Sequence, residues 1–240
     1  MLTLRHSGKR GRTAAVGIDD LKAIRLFAEI PDQRLQDLAD AGWQERAAPR
    51  AIIVEQDEEN DTLYAVRDGA VEVFSRTEEQ ESVIDVLEPG AALLLASVIS
   101  GRCYAAAARA LSPARLIAVP GTEIRALFDD DKAFARTVAC ELSRASYTLV
   151  AELRSLKTRT SLERLADWLM QQANGDGQFR LPFGKRTLAS RLGMTPECLS
   201  RSLRSLADHG VSVRGREVTM ADPSALALLV GAATVAERKL

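Results

Sequence analysis

The sequence has little of what enzymes and disulfide-stabilised proteins usually depend on. Its 240 residues include three cysteines and two histidines, and aromatic residues make up 5% of the chain. Cys103, Cys140 and Cys198 are far apart and form no Cys-x-x-Cys pair, so neither a disulfide framework nor a zinc site is indicated. His6 and His209 lie near opposite ends, and no Ser-His-Asp, paired-carboxylate or metal-ligand set has a sensible spacing. We therefore expect neither catalysis nor a bound metal.

Long apolar segments are also missing. The longest apolar run, Ala91–Ile99, is far shorter than the ~20 residues that a membrane-spanning helix needs. Residues 1–17 carry four basic side chains but no apolar stretch of signal-peptide length. We expect a cytoplasmic protein without membrane association.

The net charge of −1 conceals a strongly basic segment near the C-terminus. Residues 180–216 hold eight Lys and Arg side chains against two acids, a local charge of +6, whereas the acids concentrate in the front half, as in 55–61. A basic module within a neutral protein favours a polyanionic partner for that module and a separate role for the rest.

The pattern of apolar residues divides the chain into four parts. Residues 1–17 are expected to form a flexible basic tail, either a disordered terminus or an arm that touches DNA. Residues 18–129 carry two short helical patterns and then six short strands separated by acidic or glycine turns, which suggests a barrel or jelly roll. Residues 130–158 predict one long helix, and residues 159–240 predict a winged helix-turn-helix. The predicted fold class is α+β.

The two short helical patterns lie at Ile18–Glu29 and Pro31–Ala41. The strand patterns follow at Ala51–Glu55, Thr62–Arg67, Ala70–Ser75, Ser82–Leu87, Ala105–Ala110 and Arg115–Val119.

The long helix carries an apolar seam close to a heptad repeat. Glu152 falls where one seam position is expected, and the neighbouring Leu153 can replace it. The seam favours a symmetric dimer, and the alternative is packing against the β-roll of the same chain. The predicted dimer contacts are Val138, Leu142, Ala145, Leu149, Leu153 and Leu156.

Residues 187–201 have the pattern of a helix, a tight turn and a second helix. Leu188 belongs to the apolar face of the first helix, and Gly193 has the conformational freedom that a tight turn requires. Thr195 is placed to cap the second helix, with Pro196 at its first position, where a missing N–H costs nothing.

The second helix is predicted to read DNA bases. Leu199 and Leu203 point inward, while Glu197, Ser200 and Arg201 share the outer face. Arg201 can donate two hydrogen bonds to guanine, Glu197 can accept one from cytosine, and Ser200 suits either base edge. The alternative for Glu197 and Arg201 is an ordinary surface ion pair between residues four positions apart.

Other polar side chains of this domain suit DNA phosphates, which position the protein without specifying sequence. Residues 211–219 predict two strands around a basic Arg-Gly turn, which is the pattern of a wing. The predicted phosphate contacts are Lys185, Arg186, Thr187, Arg204, Arg214 and Arg216; each can equally be a solvated surface residue.

The order of helices, β-roll, long helix and winged helix-turn-helix resembles the Crp/Fnr family of bacterial transcription regulators. The resemblance covers about residues 18–225. Residues 54–73 look like the family's first β-roll hairpins, residues 181–201 like its helix-turn-helix and residues 211–219 like its wing. Within the family, Glu197 to Arg201 is similar to the Glu-x-x-Ser-Arg motif of the Fnr/FixK side.

This resemblance implies a sensor domain at 18–129, a dimerisation helix at 130–158 and a DNA-binding domain at 159–240. It implies a homodimer that binds double-stranded DNA with half-sites near TTGAT in a pseudo-palindrome, and that contacts RNA polymerase. Dimer geometry independently predicts two half-sites about one helical turn apart.

The sensor domain lacks the residues that family members use for two known effectors. In place of the Gly-Glu-hydrophobic-Gly segment for a cyclic nucleotide, residues 89–97 carry no glutamate, although Arg102 can still meet an anion. The iron–sulfur branch of the family uses an N-terminal cysteine cluster, and this chain has no cysteine before Cys103. We expect neither cyclic AMP nor an iron–sulfur cluster.

An apolar pocket in the roll is the remaining hypothesis, for an apolar or aromatic effector or for haem in gas sensing. Haem needs an axial ligand, for which His6, Cys103 or Tyr104 is available. Plain core packing without a ligand is the alternative. The predicted pocket residues are Leu93, Leu94, Leu95, Val98, Arg102, Cys103 and Tyr104.

Cys198 adds a third possible input, because it lies inside the predicted recognition helix. Oxidation or alkylation there adds bulk against DNA, whereas the alternative is a small buried residue. The leading interpretation is a DNA-binding regulator whose sensor domain acts through a hinge at Lys157–Thr160. The alternative is a ligand-binding module whose C-terminal domain contacts a protein. The effector, the target genes and the sign of regulation stay open.

Overall fold

The chain folds into two units. The structure is a computed structural model and describes residues 11–59, 61–173, 177–222 and 226–227. The first unit covers Met1–Ser146 and the second covers Tyr147–Leu240. Within the described residues, no helix combines the length and the hydrophobicity that crossing a membrane requires.

The first unit is built on two four-stranded antiparallel sheets. One has the strand order β1-β2-β8-β4 and the other β3-β7-β5-β6. Their bounds are β1 Gly11–Ala15, β2 Trp43–Ala47, β3 Ile52–Val54, β4 Thr62–Asp68, β5 Val71–Arg76, β6 Glu81–Leu87, β7 Ala107–Ala110 and β8 Ala114–Pro120. The six strands predicted from alternation are all present, and the α+β class with a β-roll is confirmed.

Two strands lie where the sequence predicted none. β1 falls inside the segment expected to be a flexible tail, so that prediction is wrong for residues 11–15; residues 1–10, with His6, lie outside the described part of the chain. β1 exists because its backbone pairs with β2, where Ala15 lies opposite Trp43. Pairing of this kind needs no apolar alternation, and the five-residue segment shows none.

The helices of the first unit also differ from the prediction, which included no helix at Leu95–Ser100. The first helical pattern splits into an α-helix and a 3₁₀ turn, because Ile24 is extended and the N–H of Arg25 bonds to the carbonyl of Gly90 at 3.0 Å. The helical bounds are α1 Ile18–Lys22, the 3₁₀ turn Arg25–Phe27, α2 Asp32–Ala41, α3 Leu95–Ser100, α4 Gly121–Asp130 and α5 Lys132–Thr158.

The core of the first unit lies between the sheets and these helices. Phe27 stacks on Phe134 of α5 with ring centroids 6.0 Å apart, and both side chains are fully buried. Val138, one turn further along α5, is also fully buried in this core. The first turns of α5 are therefore anchored on the β-roll.

A largely buried ion pair connects neighbouring strands of this unit. Arg109 of β7 lies opposite Glu72 of β5 and donates to its carboxylate at 2.6 Å, with side-chain exposures of 22% and 3%. Arg109 also bonds to Glu81 at 2.5 Å and covers the ring of Phe74 at 4.3 Å from its centroid. Glu72 therefore has its charge compensated mainly by one guanidinium.

We expect Arg109→Ala to destabilise the first unit by about 3–5 kcal/mol, because it leaves the buried Glu72 carboxylate without its partner. Arg76→Ala is the matched control: this side chain is 46% exposed and its ion pair with Glu81 contributes at most ~1 kcal/mol. Urea denaturation of both variants measures the difference. Equal losses of stability would contradict the assigned role of Arg109.

The second unit contains the end of α5 and a small α/β domain. Its further elements are α6 Ser161–Gln172, β9 Gln178–Arg180, α7 Lys185–Arg191, α8 Pro196–Ala207, β10 Val211–Arg214 and β11 Glu217–Met220. The strands form a sheet in the order β10-β11-β9. Trp168 of α6 packs on Phe183 at a centroid distance of 5.8 Å, which joins this helix to the segment that enters α7.

α6 begins at a capping box. The hydroxyl of Thr160 accepts from the N–H of Glu163 at 3.3 Å, and the carboxylate of Glu163 accepts from the N–H of Thr160 at 2.7 Å. The hydrogen bonds that the N–H and the hydroxyl of Thr160 donate to this carboxylate hold the pKa of Glu163 below its ordinary value. The cap ends helical geometry at Arg159, so that α5 and α6 are separate helices.

Candidate nucleic-acid interface

α7, a tight turn and α8 form the helix-turn-helix that the sequence predicted. Leu188 and Ala189 of α7 are buried, as expected for its apolar face. Gly193 has a φ of +61° in the turn, a conformation that residues with a β-carbon adopt at a cost. A β-carbon there would also lie 2.7 Å from Cδ2 of Leu156, so this position fits glycine for two reasons.

The predicted cap of α8 is confirmed. Thr195 accepts from the N–H of Cys198 at 3.2 Å, and Pro196 occupies the first helical turn. Hydrogen bonds from the backbone N–H of Glu197 and from the Thr195 hydroxyl, helped by the charge of Arg201, lower the pKa of Glu197. Its carboxylate is therefore ionised at neutral pH and acts as a hydrogen-bond acceptor.

α8 has a buried face and an exposed polar face. Leu199, Ser202 and Leu206 are buried, and Leu203 is half-buried. The residues on the opposite face are exposed and lie three and four positions apart, which places them side by side along the helix. These exposed residues are Glu197, Ser200, Arg201 and Arg204.

The predicted phosphate contacts differ in their solvent exposure and hydrogen bonding. Lys185, Arg186, Arg204 and Arg214 are exposed, and Thr187 is half-buried. Arg216 is exposed, but its Nε donates to the carbonyl of Leu181 at 2.8 Å, so part of its guanidinium stabilises the domain.

An open groove of about 480 Å³ runs along one flank of α8. Lys185 and Arg204 place two positive charges at its wall, and β10 of the wing supplies the opposite side. Its lining residues are Lys185, Leu203, Arg204, Ala207, Gly210, Val211, Ser212 and Val213.

The wing is present, with one strand more than predicted. β10 and β11 pair from Val211 opposite Met220 to Arg214 opposite Glu217, and Gly215 turns the chain with a φ of +61°. The additional strand, β9, pairs with the far side of β11. Its three residues include one apolar side chain, Phe179, which gives no periodic signal, so sequence reasoning did not find β9.

The predicted dimer seam divides along α5. Val138 is buried in the core of its own unit and Leu142 is half-buried against that core, so at Val138 the alternative of packing on the β-roll is what the structure shows. The seam residues beyond them are exposed. The large exposed apolar side chains of α5 are Tyr147, Leu149, Val150, Leu153 and Leu156, of which Tyr147 and Val150 were not predicted.

The predicted pocket residues do not surround one site. Leu93, Leu95 and Val98 belong to the packed core, and Leu94 is half-buried at the start of α3. Arg102 and Cys103 are exposed. These positions correspond mainly to the alternative of ordinary core packing, because α3 turns its apolar side chains into the roll.

Tyr104 is buried, and its hydroxyl is hydrogen-bonded to the backbone of the same unit. Its hydroxyl donates to the carbonyl of Thr62 at 2.5 Å and accepts from the N–H of Thr62 at 3.4 Å. Burial raises the pKa of Tyr104 far above its ordinary value. A phenol that is neutral and bonded to backbone does not fit an axial haem ligand, and the other described candidate, Cys103, is exposed.

Two further observations concern metal ligands among the described residues and the side chains of segment 89–97. Among them, no group of three or more His, Cys, Asp or Glu side chains is placed to hold a metal ion. In the segment 89–97, Ser97 is buried, but its hydroxyl accepts from the N–H of Ala105 at 3.3 Å. This segment therefore places no charged side chain where a nucleotide ribose or phosphate needs one.

The thiol of Cys198 lies on the flank of α8 rather than on its exposed face. It is half-buried, and a hydrogen bond with Ser161 at the start of α6 lowers the pKa of Cys198, with Arg201 adding to the effect. A bulky modification at this thiol therefore disturbs the packing of α8 on α6, in addition to any contact with a DNA ligand.

Comparisons with known proteins agree with this architecture. Residues 44–131 match the cyclic nucleotide-binding domain model, and residues 163–229 match the Crp-like helix-turn-helix domain model. The transcriptional activator protein anr of Pseudomonas aeruginosa is 26% identical over 178 residues, which is 71% of this chain and 73% of that protein.

Solved structures share the fold at lower sequence identity. FixK2 from Bradyrhizobium japonicum aligns with a TM-score of 0.71 and 21% identity, covering 79% of this chain and 98% of that one. A CooA mutant from Carboxydothermus hydrogenoformans aligns with a TM-score of 0.72 and 17% identity, covering 93% of this chain and 98% of that one.

Proposed function

Since this chain belongs to the Crp/Fnr family of DNA-binding transcription regulators, we propose that it acts as a homodimer that reads a pseudo-palindrome with TTGAT-like half-sites. Each α8 enters a major groove, and the sensor unit modulates this binding through α5. RNA polymerase is the proposed protein partner at the promoter. One relative that it matches, the transcriptional activator protein anr of Pseudomonas aeruginosa, is named as an activator of transcription.

The exposed face of α8 supports this proposal most directly. Glu197, Ser200 and Arg201 point away from the domain, next to exposed basic residues that suit phosphates. Arg201 supplies the bidentate donor for guanine, and the ionised Glu197 supplies the acceptor for cytosine N4. A single head of this size offers few base contacts, so specific binding at low concentration favours two heads on one site.

The exposed apolar side chains of α5 support the dimer. Leu149, Leu153 and Leu156 lie on one side of the helix at spacings of four and three, and their side chains are 55%, 52% and 48% exposed. A soluble helix rarely leaves such a stripe uncovered. A second copy of α5 covers it symmetrically, because the same stripe faces itself across a two-fold axis.

A titration with salt tests the DNA-binding function itself. We expect the logarithm of the association constant for a TTGAT palindrome to fall linearly with the logarithm of salt concentration, because several phosphate contacts release counterions. Scrambled DNA of equal length is the control and should bind at least ~10³-fold more weakly at physiological salt. Equal affinity for both sequences would contradict specific reading.

Of the inputs that the sequence left open, thiol chemistry at Cys198 has the most support. The thiol combines a lowered pKa with a place between α8 and α6, whereas the described candidates for haem ligation do not fit. A lowered pKa gives more thiolate at neutral pH, and the thiolate is the reactive form.

We expect N-ethylmaleimide to weaken specific DNA binding of the wild type about 10-fold or more, because added bulk at a packed site costs ~1–3 kcal/mol. Cys198→Ser should resist the reagent. This variant retains the exposed Cys103 and Cys140, so it also controls for labelling elsewhere. Anisotropy of labelled DNA measures the effect; equal sensitivity of both proteins would rule out Cys198 as the responsive site.

A further inference from the structure

One arginine connects the hinge between α5 and α6 to the turn of the helix-turn-helix. The guanidinium of Arg164 donates from Nη1 to the carbonyl of Arg159 at 2.8 Å. From Nε it donates to the carbonyl of Leu192 at 2.9 Å, and from Nη2 to the carbonyl of Gly193 at 3.3 Å. Nη2 also lies 3.4 Å from the hydroxyl of Ser161. A single planar group thus bonds to both segments.

Both ends of this connection are places where backbone carbonyls lack helical partners. Arg159 separates the end of α5 from the cap of α6 at Thr160, and Leu192 follows the last residue of α7. Carbonyl groups at the end of a helix need hydrogen-bond donors from outside that helix. Arg164 supplies them for two segments at once, so the turn is held at the hinge by directed hydrogen bonds.

The same contacts are possible only while the hinge is not helical. If α5 continued through the hinge, the carbonyl of Arg159 would accept from the N–H of Glu163. In this structure that N–H is donated to the hydroxyl of Thr160, and the Arg159 carbonyl is bound by Arg164. The guanidinium of Arg164 in the broken hinge and the N–H of Glu163 in a helical hinge are therefore alternative donors to the same carbonyl.

Further contacts place the end of α5 against the same turn. A β-carbon at Gly193 would lie 2.7 Å from Leu156, and Glu152 lies 3.8 Å from Arg191 at the end of α7. The side chain of Arg159 is itself bound to Asp167 of α6 at 2.7 Å. The path from α5 to the recognition helix thus runs through packed and hydrogen-bonded residues.

We propose that Arg164 is the positioning residue that sets the angle of the DNA-binding head relative to α5, by holding the turn at Arg159 in the broken-hinge state. Loss of these bonds lets the hinge change conformation without carrying the turn along. The inference rests on the proposed dimeric DNA reader. The angle of each head relative to α5 sets the placement of the two heads in a dimer, and therefore which spacing between half-sites binds best.

The test uses the full-length protein and palindromes whose spacer is changed by one or two base pairs. We expect the wild type to prefer its best spacer by ~10-fold or more, within the range of allosteric coupling energies. Arg164→Lys keeps the charge but loses the guanidinium fork. It should reduce this preference to about 2-fold while its affinity for a single half-site stays within ~2-fold of wild type.

Two further variants keep the test decisive. Thr160→Ala frees the N–H of Glu163 to bond the Arg159 carbonyl, so it should flatten the spacer preference as Arg164→Lys does. Leu169→Val removes one buried methylene from α6 and controls for lost stability, so it should keep the preference. An unchanged preference in Arg164→Lys and Thr160→Ala would overturn the role of Arg164. A wild type that ignores the palindrome would instead overturn the proposed function.

Discussion

Arg201→Ala should strongly reduce sequence-specific binding while leaving the fold intact. Arg201 is exposed on α8, so its removal breaks no buried contact. Each bidentate contact with guanine contributes ~1–3 kcal/mol of discrimination, and a dimer loses two of them. The affinity for the palindrome should therefore fall by roughly 30-fold to 10⁴-fold, whereas binding to scrambled DNA changes little. Arg201→Lys retains the charge without the fork and should lose most of the discrimination as well.

Arg204→Ala is the matched control on the same helix face. As a phosphate contact it should weaken binding to every sequence alike and reduce the salt slope by about one per head. Fluorescence anisotropy with palindromic and scrambled DNA separates the two patterns. If Arg201→Ala behaved like Arg204→Ala, the assignment of Arg201 as a base contact would be wrong.

Leu153→Glu should convert the dimer into monomers. In the proposed interface the two copies of this position face each other across the symmetry axis, so the substitution places two carboxylates in an apolar seam. A buried charge without a partner costs ~3–5 kcal/mol, so the dimer dissociation constant should rise by at least ~100-fold. Because each monomer carries one head, affinity for the full palindrome should drop to that for a half-site.

Tyr147→Glu controls for the effect of charge on the exposed part of α5. Tyr147 is 81% exposed and lies two residues from Leu149, which puts it on nearly the opposite side of the helix from the seam. This variant should remain dimeric. Sedimentation velocity measures both proteins, and a Leu153→Glu protein that stays dimeric at micromolar concentration would place the interface elsewhere.

The sequence predicted the elements whose signal is local. The alternation in β4, β5 and β6, the cap at Thr195 and the glycine in the turn each follow from a few neighbouring residues, and the structure has them all. β1 was missed because it depends on pairing with β2, a segment 29 residues away along the chain, as the bond from Gln44 to the carbonyl of Ala15 illustrates.

The apolar seam shows a second kind of limit. Val138 and Leu149 belong to the same predicted row, but Val138 is fully buried in its own unit whereas Leu149 is 55% exposed. A periodic apolar row has the same sequence signature whether its partner is the same chain or a second copy. Only the position of the β-roll decides which part of the row packs inside its own unit and which part stays exposed.

The contacts around the hinge could not be predicted at all. Arg164 bonds to the backbone carbonyls of Arg159, Leu192 and Gly193, and any residue type supplies a carbonyl, so no motif marks these partners. The direction of the Cys198 thiol is similar: its place beside Ser161 depends on how α8 packs on α6. Such contacts follow from tertiary structure alone.

Selection of bound sequences from random DNA tests the central claim most directly. The purified full-length protein is incubated with a random library at physiological salt, and the bound sequences are determined. Two recognition helices in a symmetric dimer predict an inverted repeat of TTGAT-like half-sites about one helical turn apart. A single unrepeated motif, or no enrichment at all, would contradict a paired reader that uses Glu197, Ser200 and Arg201.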